Sequence, residues 1–174
     1  MQQLNAQLAS ALDLYLRVRQ SHWNVRGPQF FARHELFDQL SDHLHDMADT
    51  LAERIGALGG LAHGASRHVT AHSELPDATH DMSDITSHLR VLVRCYSAFS
   101  AQLRRALEHS SDPVTEDVLV ETLRAVEKDM WFLDSHLPDT ATATVTARSP
   151  DPKPEAGAAV ELVEEDELAT VMYS

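Results

Sequence analysis

Residues 21–60, SHWNVRGPQFFARHELFDQLSDHLHDMADTLAERIGALGG, combine a helical pattern with two kinds of candidate metal ligand. The candidate ligands are two histidines and three carboxylates: His22, His34, Asp38, Asp49 and Glu53. A mixed set of nitrogen and oxygen ligands suits iron, manganese or zinc. The stretch therefore predicts a metal site. Four of the five candidates lie in one helical segment, so the geometry of that helix determines which of them can bind the same ion.

Apolar residues recur in steps of three and four in four long segments, which predicts four helices. These segments cover residues 2–26, 30–59, 82–110 and 113–137. In the first segment the core candidates are Leu4, Leu8, Leu12, Tyr15 and Leu16. In the fourth segment they are Val114, Val118, Leu123, Met130, Leu133 and Leu137. A long link from residue 61 to residue 81 separates the second and third segments and is expected to hold a short helix near residues 65–72. We therefore predict an all-α fold, a four-helix bundle with one long crossover that carries a short helix.

Turn and cap residues support these limits. Gly27-Pro28 separates the first two segments, because proline lacks an N–H and restricts the residue before it. Gly59-Gly60 ends the second segment. Asp112-Pro113 opens the fourth as an N-cap followed by proline at the first helical position.

The second helix has two distinct faces. With His34 at zero and 100° per residue, its seven apolar residues from Phe37 to Leu58 fall at about 220° to 300°. Asp38, Asp49 and Glu53 fall at about 40° to 100°, on another side. The candidate ligands therefore do not point into the helix's own core. Ala52 and Gly56 share their stripe, so that a second helix could approach closely.

Distance along the helix adds a constraint. His34 with Asp38, and Asp49 with Glu53, are i, i+4 pairs that can each converge on one ion. The midpoints of the pairs are about 15 residues, or about 22 Å, apart. Either one chain carries two incomplete sites, or two chains meet antiparallel across a two-fold axis and form two identical sites. A solvated polar face is the third interpretation.

Composition limits the function classes. The chain has 174 residues, 43% hydrophobic and 24% charged, as in a soluble globular domain. No segment approaches the length of a membrane span, and no signal peptide is expected. A single cysteine, Cys95, fits a reducing cytoplasm. The net charge of −13 argues against general affinity for nucleic acid and favours attraction of cations.

The helical pattern ends near residue 137. We predict one helical domain over residues 1–138 and a Thr/Ala/Pro-rich, acidic C-terminal tail over residues 139–174. Disorder is the first interpretation of this tail. A short helix docked on a neighbouring subunit is the alternative.

Several of these motifs together resemble the Dps family, the mini-ferritins named DNA-binding proteins from starved cells. The resemblance covers about residues 4–137 and rests on HWNVRG at 22–27, HELFD at 34–38, DTLAER at 49–54, ALGG at 57–60 and KDMWFL at 128–133. It implies a ferritin-like bundle that assembles into a hollow dodecamer. It also implies oxidation of Fe²⁺, typically by hydrogen peroxide, and storage of the ferric mineral inside the shell, with protection of DNA from oxidative damage.

The resemblance also assigns roles to residues. In this family the ferroxidase centre lies at a two-fold interface. His22, His34 and Asp38 match its ligands from one subunit, and Asp49 and Glu53 match those from the neighbour. The ordinary di-iron signature, Glu-x-x-His on two helices, is absent, which counts against a centre inside one bundle.

Further residues have weaker assignments. Trp23 matches a tryptophan close to the centre. Asp112, Asp117 and Glu121 lie where the family lines its three-fold iron-entry pores with acids, although helix-start electrostatics would explain the two aspartates alone. His63, His68 and His72 form a candidate secondary metal site in the crossover.

The family name suggests DNA binding, which the sequence does not favour. Members that bind DNA directly often use a Lys/Arg-rich terminal extension, whereas this chain begins with its first helix and its tail is acidic. We expect a cytoplasmic ferroxidase and iron store that binds DNA weakly or not at all. A nucleoid-compacting protein with little catalytic role is the alternative.

Overall fold

Five helices make up the part of the chain that the structure, a computed structural model, describes: residues 1–77 and 84–137. They are α1 (Gln2–Asn24), α2 (Phe30–Ala57), α3 (Ser66–His72), α4 (Ile85–Glu108) and α5 (Pro113–Asp134). No strand occurs within these residues. α3 is the short helix predicted in the crossover, and the four long helices confirm the predicted bundle.

Local signals set the ends of the helices. The side chain of Asp112 caps α5 by accepting a hydrogen bond from the Thr115 N–H at 2.9 Å, and Pro113 follows it. At the end of α2, Gly59 adopts a left-handed φ of 77°. This conformation lets the Gly60 N–H donate to the Ile55 carbonyl at 2.9 Å, which stops the helix in a Schellman turn.

The core lies between two antiparallel helix pairs. α1 packs mainly on α2, and α4 packs mainly on α5. The largest fully buried side chains come from all four long helices and include Leu14, Phe37, Leu40, Leu44, Leu51, Ile55, Tyr96, Phe99, Leu103 and Leu119. Burial of side chains of this size is the main stabilising contribution in such a bundle.

Three predicted core residues are exposed: Leu16, Leu58 and Val114. Leu16 is 53% exposed, whereas Leu14 and Val18 are fully buried. Because Leu16 lies about 200° around the helix from Leu14, α1 cannot bury both against the same neighbours. Val114 is 56% exposed because it lies in the first turn of α5, at the end of the bundle.

The crossover is fastened to α1 by polar contacts. The Ser73 hydroxyl donates to Asp13 at 2.6 Å, and Arg17 donates to the Pro76 carbonyl, also at 2.6 Å. Arg17 also donates to the Cys95 sulfur of α4 at 3.3 Å. Burial raises the pKa of the Cys95 thiol, so the cysteine stays a neutral packing group.

A buried carboxylate joins α2 to α5. Asp129 is 1% exposed, and its Oδ1 accepts a hydrogen bond from His43 Nδ1–H at 2.9 Å. Burial raises the pKa of Asp129, although the histidine partner acts in the opposite direction. No motif in the sequence indicated this pair.

Two regions lie outside the described residues. One comprises residues 78–83, where the long link meets the third predicted helical segment, and the other comprises residues 138–174, which include the predicted tail. The predicted domain limit at residue 138 therefore stays a prediction. Within residues 1–77 and 84–137, none of the helices combines the length and the apolar character that crossing a membrane requires.

Candidate metal centre

His22 and His34 lie against each other where α1 ends and α2 begins. Their rings are stacked, with centroids 3.7 Å apart and planes 24° apart. His22 Nδ1 is 3.1 Å from the His34 carbonyl oxygen, and His34 Nδ1 is 3.0 Å from the His22 carbonyl oxygen. The His22 carbonyl belongs to the last turn of α1 and has no partner within its helix, so His34 satisfies it.

These two hydrogen bonds fix which ring nitrogen is free. A carbonyl oxygen only accepts hydrogen bonds, so each Nδ1 must carry the proton and donate it. In the neutral form of each ring, Nε2 is then the nitrogen that can bind a metal. Metal-binding histidines in proteins are typically oriented in this way by a hydrogen bond from their other nitrogen.

Asp38 lies beside His22, on the Nδ1 side of its ring. Its side chain is 46% exposed, and its Oδ1 is 3.7 Å from His22 Nδ1. Arg19 donates to the same oxygen at 2.6 Å and also contacts the Ser41 hydroxyl at 3.3 Å. The guanidinium therefore balances the charge of Asp38 and holds the carboxylate in place.

Arg19 and Phe30 were not predicted from the sequence. The Arg19 guanidinium lies over the Trp23 ring, 5.6 Å from its centroid, and Phe30 stacks on His34 at 5.1 Å. The i, i+4 spacing of Arg19 and Trp23, and of Phe30 and His34, was the signal available. Phe30 therefore packs against one candidate ligand, His34, and Arg19 links the Trp23 ring to Asp38.

Asp49 and Glu53 do not join this group within one chain. Both are exposed on α2, well away from His34 along the helix axis. Across the described ranges, 1–77 and 84–137, no three His, Cys, Asp or Glu side chains are placed to hold a metal together. We call His22, His34 and Asp38 the histidine half-centre and Asp49 with Glu53 the carboxylate half-centre. That these two groups hold a metal stays a prediction.

Exposed apolar side chains border the histidine half-centre. Trp23 and Phe31 are 63% and 75% exposed, and Leu16 and Phe30 are also largely exposed. Large apolar groups gathered on one surface commonly mark a protein contact. This surface is suited to a partner that would also cover the half-centre.

The acids at the start of α5 have separate surroundings. Asp112 caps the helix, and Arg54 donates to its carboxylate. Hydrogen bonds from the Thr115 side chain and backbone, with a smaller contribution from Arg54, lower the pKa of Asp112. Asp117 and Glu121 are exposed. The cap function is thus observed for Asp112, and a pore function for the three acids stays a prediction.

Comparison with known proteins gives the same fold. The ferritin-like domain family matches residues 1–143. The "DNA protection during starvation protein" of Agrobacterium fabrum is 39% identical over 137 residues, which cover 77% of this chain and 85% of the relative. The chain belongs to the Dps family of ferritin-like proteins.

Other relatives of this Dps chain extend the comparison. The structure of DpsA14 from Streptomyces coelicolor is 38% identical, with a TM-score of 0.75, and the match covers 80% of this chain and 84% of that one. The "Fine tangled pili major subunit" of Haemophilus ducreyi is 35% identical over 136 residues, covering 77% of this chain and 72% of the relative. The shared region corresponds to the helical bundle.

Proposed function

We propose that the protein oxidises Fe²⁺ at centres shared between two subunits and stores the ferric product inside a shell. The observation that carries the proposal is the histidine half-centre. Two stacked rings each use Nδ1 in a hydrogen bond to a carbonyl, which leaves Nε2 for a metal, and a half-exposed carboxylate lies near His22. The carboxylates that would complete the ligand set lie about 22 Å away on the same helix.

A two-fold axis would bring the halves together. If α2 of one subunit crosses α2 of its partner in the opposite direction, His34 and Asp38 of each chain face Asp49 and Glu53 of the other. Ala52 and Gly56 lie on the same stripe and have little side chain to hold the helices apart. One dimer would then contain two identical centres.

The ligand set suits iron that changes oxidation state. The carboxylates are hard oxygen ligands and stabilise Fe³⁺ more than Fe²⁺, so binding favours oxidation. Two Fe²⁺ ions give one electron each to hydrogen peroxide, which takes up two protons and becomes two waters. Because both electrons pass to one peroxide molecule, no hydroxyl radical is released. The reaction would remove two reagents that damage DNA.

Membership of the Dps family supports an oligomer that protects DNA through iron chemistry. We propose that two-fold dimers assemble into a hollow dodecamer in the cytoplasm. In that shell, Asp112, Asp117 and Glu121 would lie at the iron-entry pores, and Trp23 would lie beside the centre.

The purified protein is expected to form a particle of about twelve subunits that mineralises iron. It should elute near 230 kDa, about twelve times the 19.3 kDa of the chain, and convert anaerobic Fe²⁺ plus peroxide into a mineral that elutes with it. Size-exclusion chromatography with absorbance and iron analysis measures both. A monomer or dimer that leaves the iron outside the protein would refute the proposal.

Direct DNA binding is expected to be absent at moderate salt. The formal charge of −13 opposes the phosphate backbone, and the attraction that drives nonspecific binding weakens further as salt rises. A gel shift with linear duplex DNA at about 50 mM and about 150 mM salt tests this expectation. Retention of DNA at the higher salt would favour the alternative, a nucleoid-compacting protein.

A further inference from the structure

Three histidines of the crossover gather near the start of α1, whereas His22 lies near the end of that helix. The rings of His63 and His68 stack with centroids 4.6 Å apart, and those of His68 and His72 stack at 3.8 Å. All three line an open groove of about 330 Å³, together with Gln2 and Asn5 of α1 and with Met1 and Leu61. We call these three side chains the crossover histidines.

The nitrogens of the crossover histidines are available as ligands. His72 Nδ1–H donates to the His68 carbonyl at 3.0 Å, which leaves His72 Nε2 unprotonated. His68 Nε2 is buried and makes no hydrogen bond within the described residues. Desolvation, and then the neighbouring His72 and His63, lower the pKa of His68. A lowered pKa favours the neutral ring, which is the form that binds a metal.

The backbone that carries the crossover histidines is held in place. Asn5 accepts a hydrogen bond from the His63 N–H at 2.9 Å and donates to the Leu61 carbonyl at 3.1 Å. His68 and His72 occupy i, i+4 positions of α3, and Val69 of the same helix is buried. Residues four apart on a helix project from the same side and can bind one ion together.

We propose that the crossover histidines form a second metal site, which binds one Cu²⁺, Ni²⁺ or Zn²⁺ ion per subunit through His68 and His72, with His63 as a third ligand. Imidazole nitrogens suit these ions, whereas the mixed carboxylate set of the half-centres suits iron. In the stacked arrangement the nitrogens do not meet at one point. Rotation of the exposed His63 and His72 side chains about Cα–Cβ would splay the rings around an ion.

Copper titration of the intact metal-free protein tests this site. The wild-type protein is expected to bind one more Cu²⁺ per subunit than His68→Ala/His72→Ala, and the electron paramagnetic resonance spectrum of that copper should show coupling to imidazole nitrogens. Because His68 is partly covered, His72→Ala alone repeats the test at an exposed position. Circular dichroism and particle size check that the variants are folded.

Two further variants make the result specific. His109→Ala is the matched control, because His109 Nδ1–H also donates to the carbonyl four residues earlier, at 2.8 Å, but no histidine pairs with it on its helix. His34→Ala/Asp38→Ala removes the half-centre ligands. Both should keep the nitrogen-coupled copper. Copper binding that is unchanged in His68→Ala/His72→Ala, or that disappears only in His34→Ala/Asp38→Ala, would overturn the proposal.

Discussion

Replacing His34 and Asp38 together with alanine is expected to slow peroxide-driven oxidation of Fe²⁺ by about 100-fold or more. The change removes one of the two stacked imidazoles and the Asp38 carboxylate that lies beside His22. In the proposed dimer, it leaves the carboxylates of the second subunit with a single histidine opposite them. The initial rate of Fe³⁺ formation, followed by absorbance under anaerobic conditions, gives the measurement.

A matched variant separates loss of ligands from general damage to the helix. His45→Ala/Asp46→Ala removes the same two residue types from exposed positions of α2, where the two side chains are 3.5 Å apart. This variant should keep nearly the wild-type rate. Equal rates in both double variants and in the wild-type protein would mean that the half-centre does not catalyse oxidation, provided that all three particles have the same size.

The sequence was sufficient to predict the helices, because their limits depend on local chemistry. The residues at the two helix ends, Asp112-Pro113 and Gly59-Gly60, act within one turn of the chain, and each behaves in the structure as its type predicts. The apolar stripe of α2 was also predicted correctly for six of its seven residues. These six, from Phe37 to Ile55, are buried, and the seventh, Leu58, is exposed. In these cases the pattern and the packing follow the same period.

Packing between helices was harder to predict. The exposure of Leu16 depends on which side of α1 meets α2, and a helix with leucines on several sides does not specify that side. The hydrogen bond between His43 and Asp129 joins residues 86 positions apart, so no local pattern could indicate it. Both features are set by tertiary structure.

The candidate site was predictable in its residues but not in its detail. The spacing indicated that His34 and Asp38 form one group, separated along α2 from Asp49 and Glu53. The exchange of hydrogen bonds between His22 and His34, and the salt bridge from Arg19, require the angle at which α1 approaches α2. That the two half-centres of different chains meet stays a prediction, because it concerns a second subunit.

Mixing two inactive variants is expected to restore about one quarter of the wild-type activity if the centre is shared across a two-fold axis. One variant lacks His34 and Asp38, and the other lacks Asp49 and Glu53. When the two are unfolded, combined in equal amounts and refolded together, half of the dimers contain one chain of each kind. In such a dimer one centre has lost all four ligands and the other has all four. The rate of peroxide-driven Fe²⁺ oxidation after refolding gives the measurement.

A second mixture is the control, because a shared centre predicts that this mixture loses activity on refolding, whereas the first mixture gains it. A variant with all four substitutions on one chain, refolded with an equal amount of wild-type protein, gives mixed dimers in which both centres lack two ligands. Activity should then fall to about one quarter of that of an all-wild-type sample, below the half that unmixed chains would give. If each centre instead belonged to a single chain, the first mixture would stay inactive and the second would keep one half. The two mixtures together therefore distinguish a shared centre from one contained in a single chain, whatever the efficiency of refolding common to both.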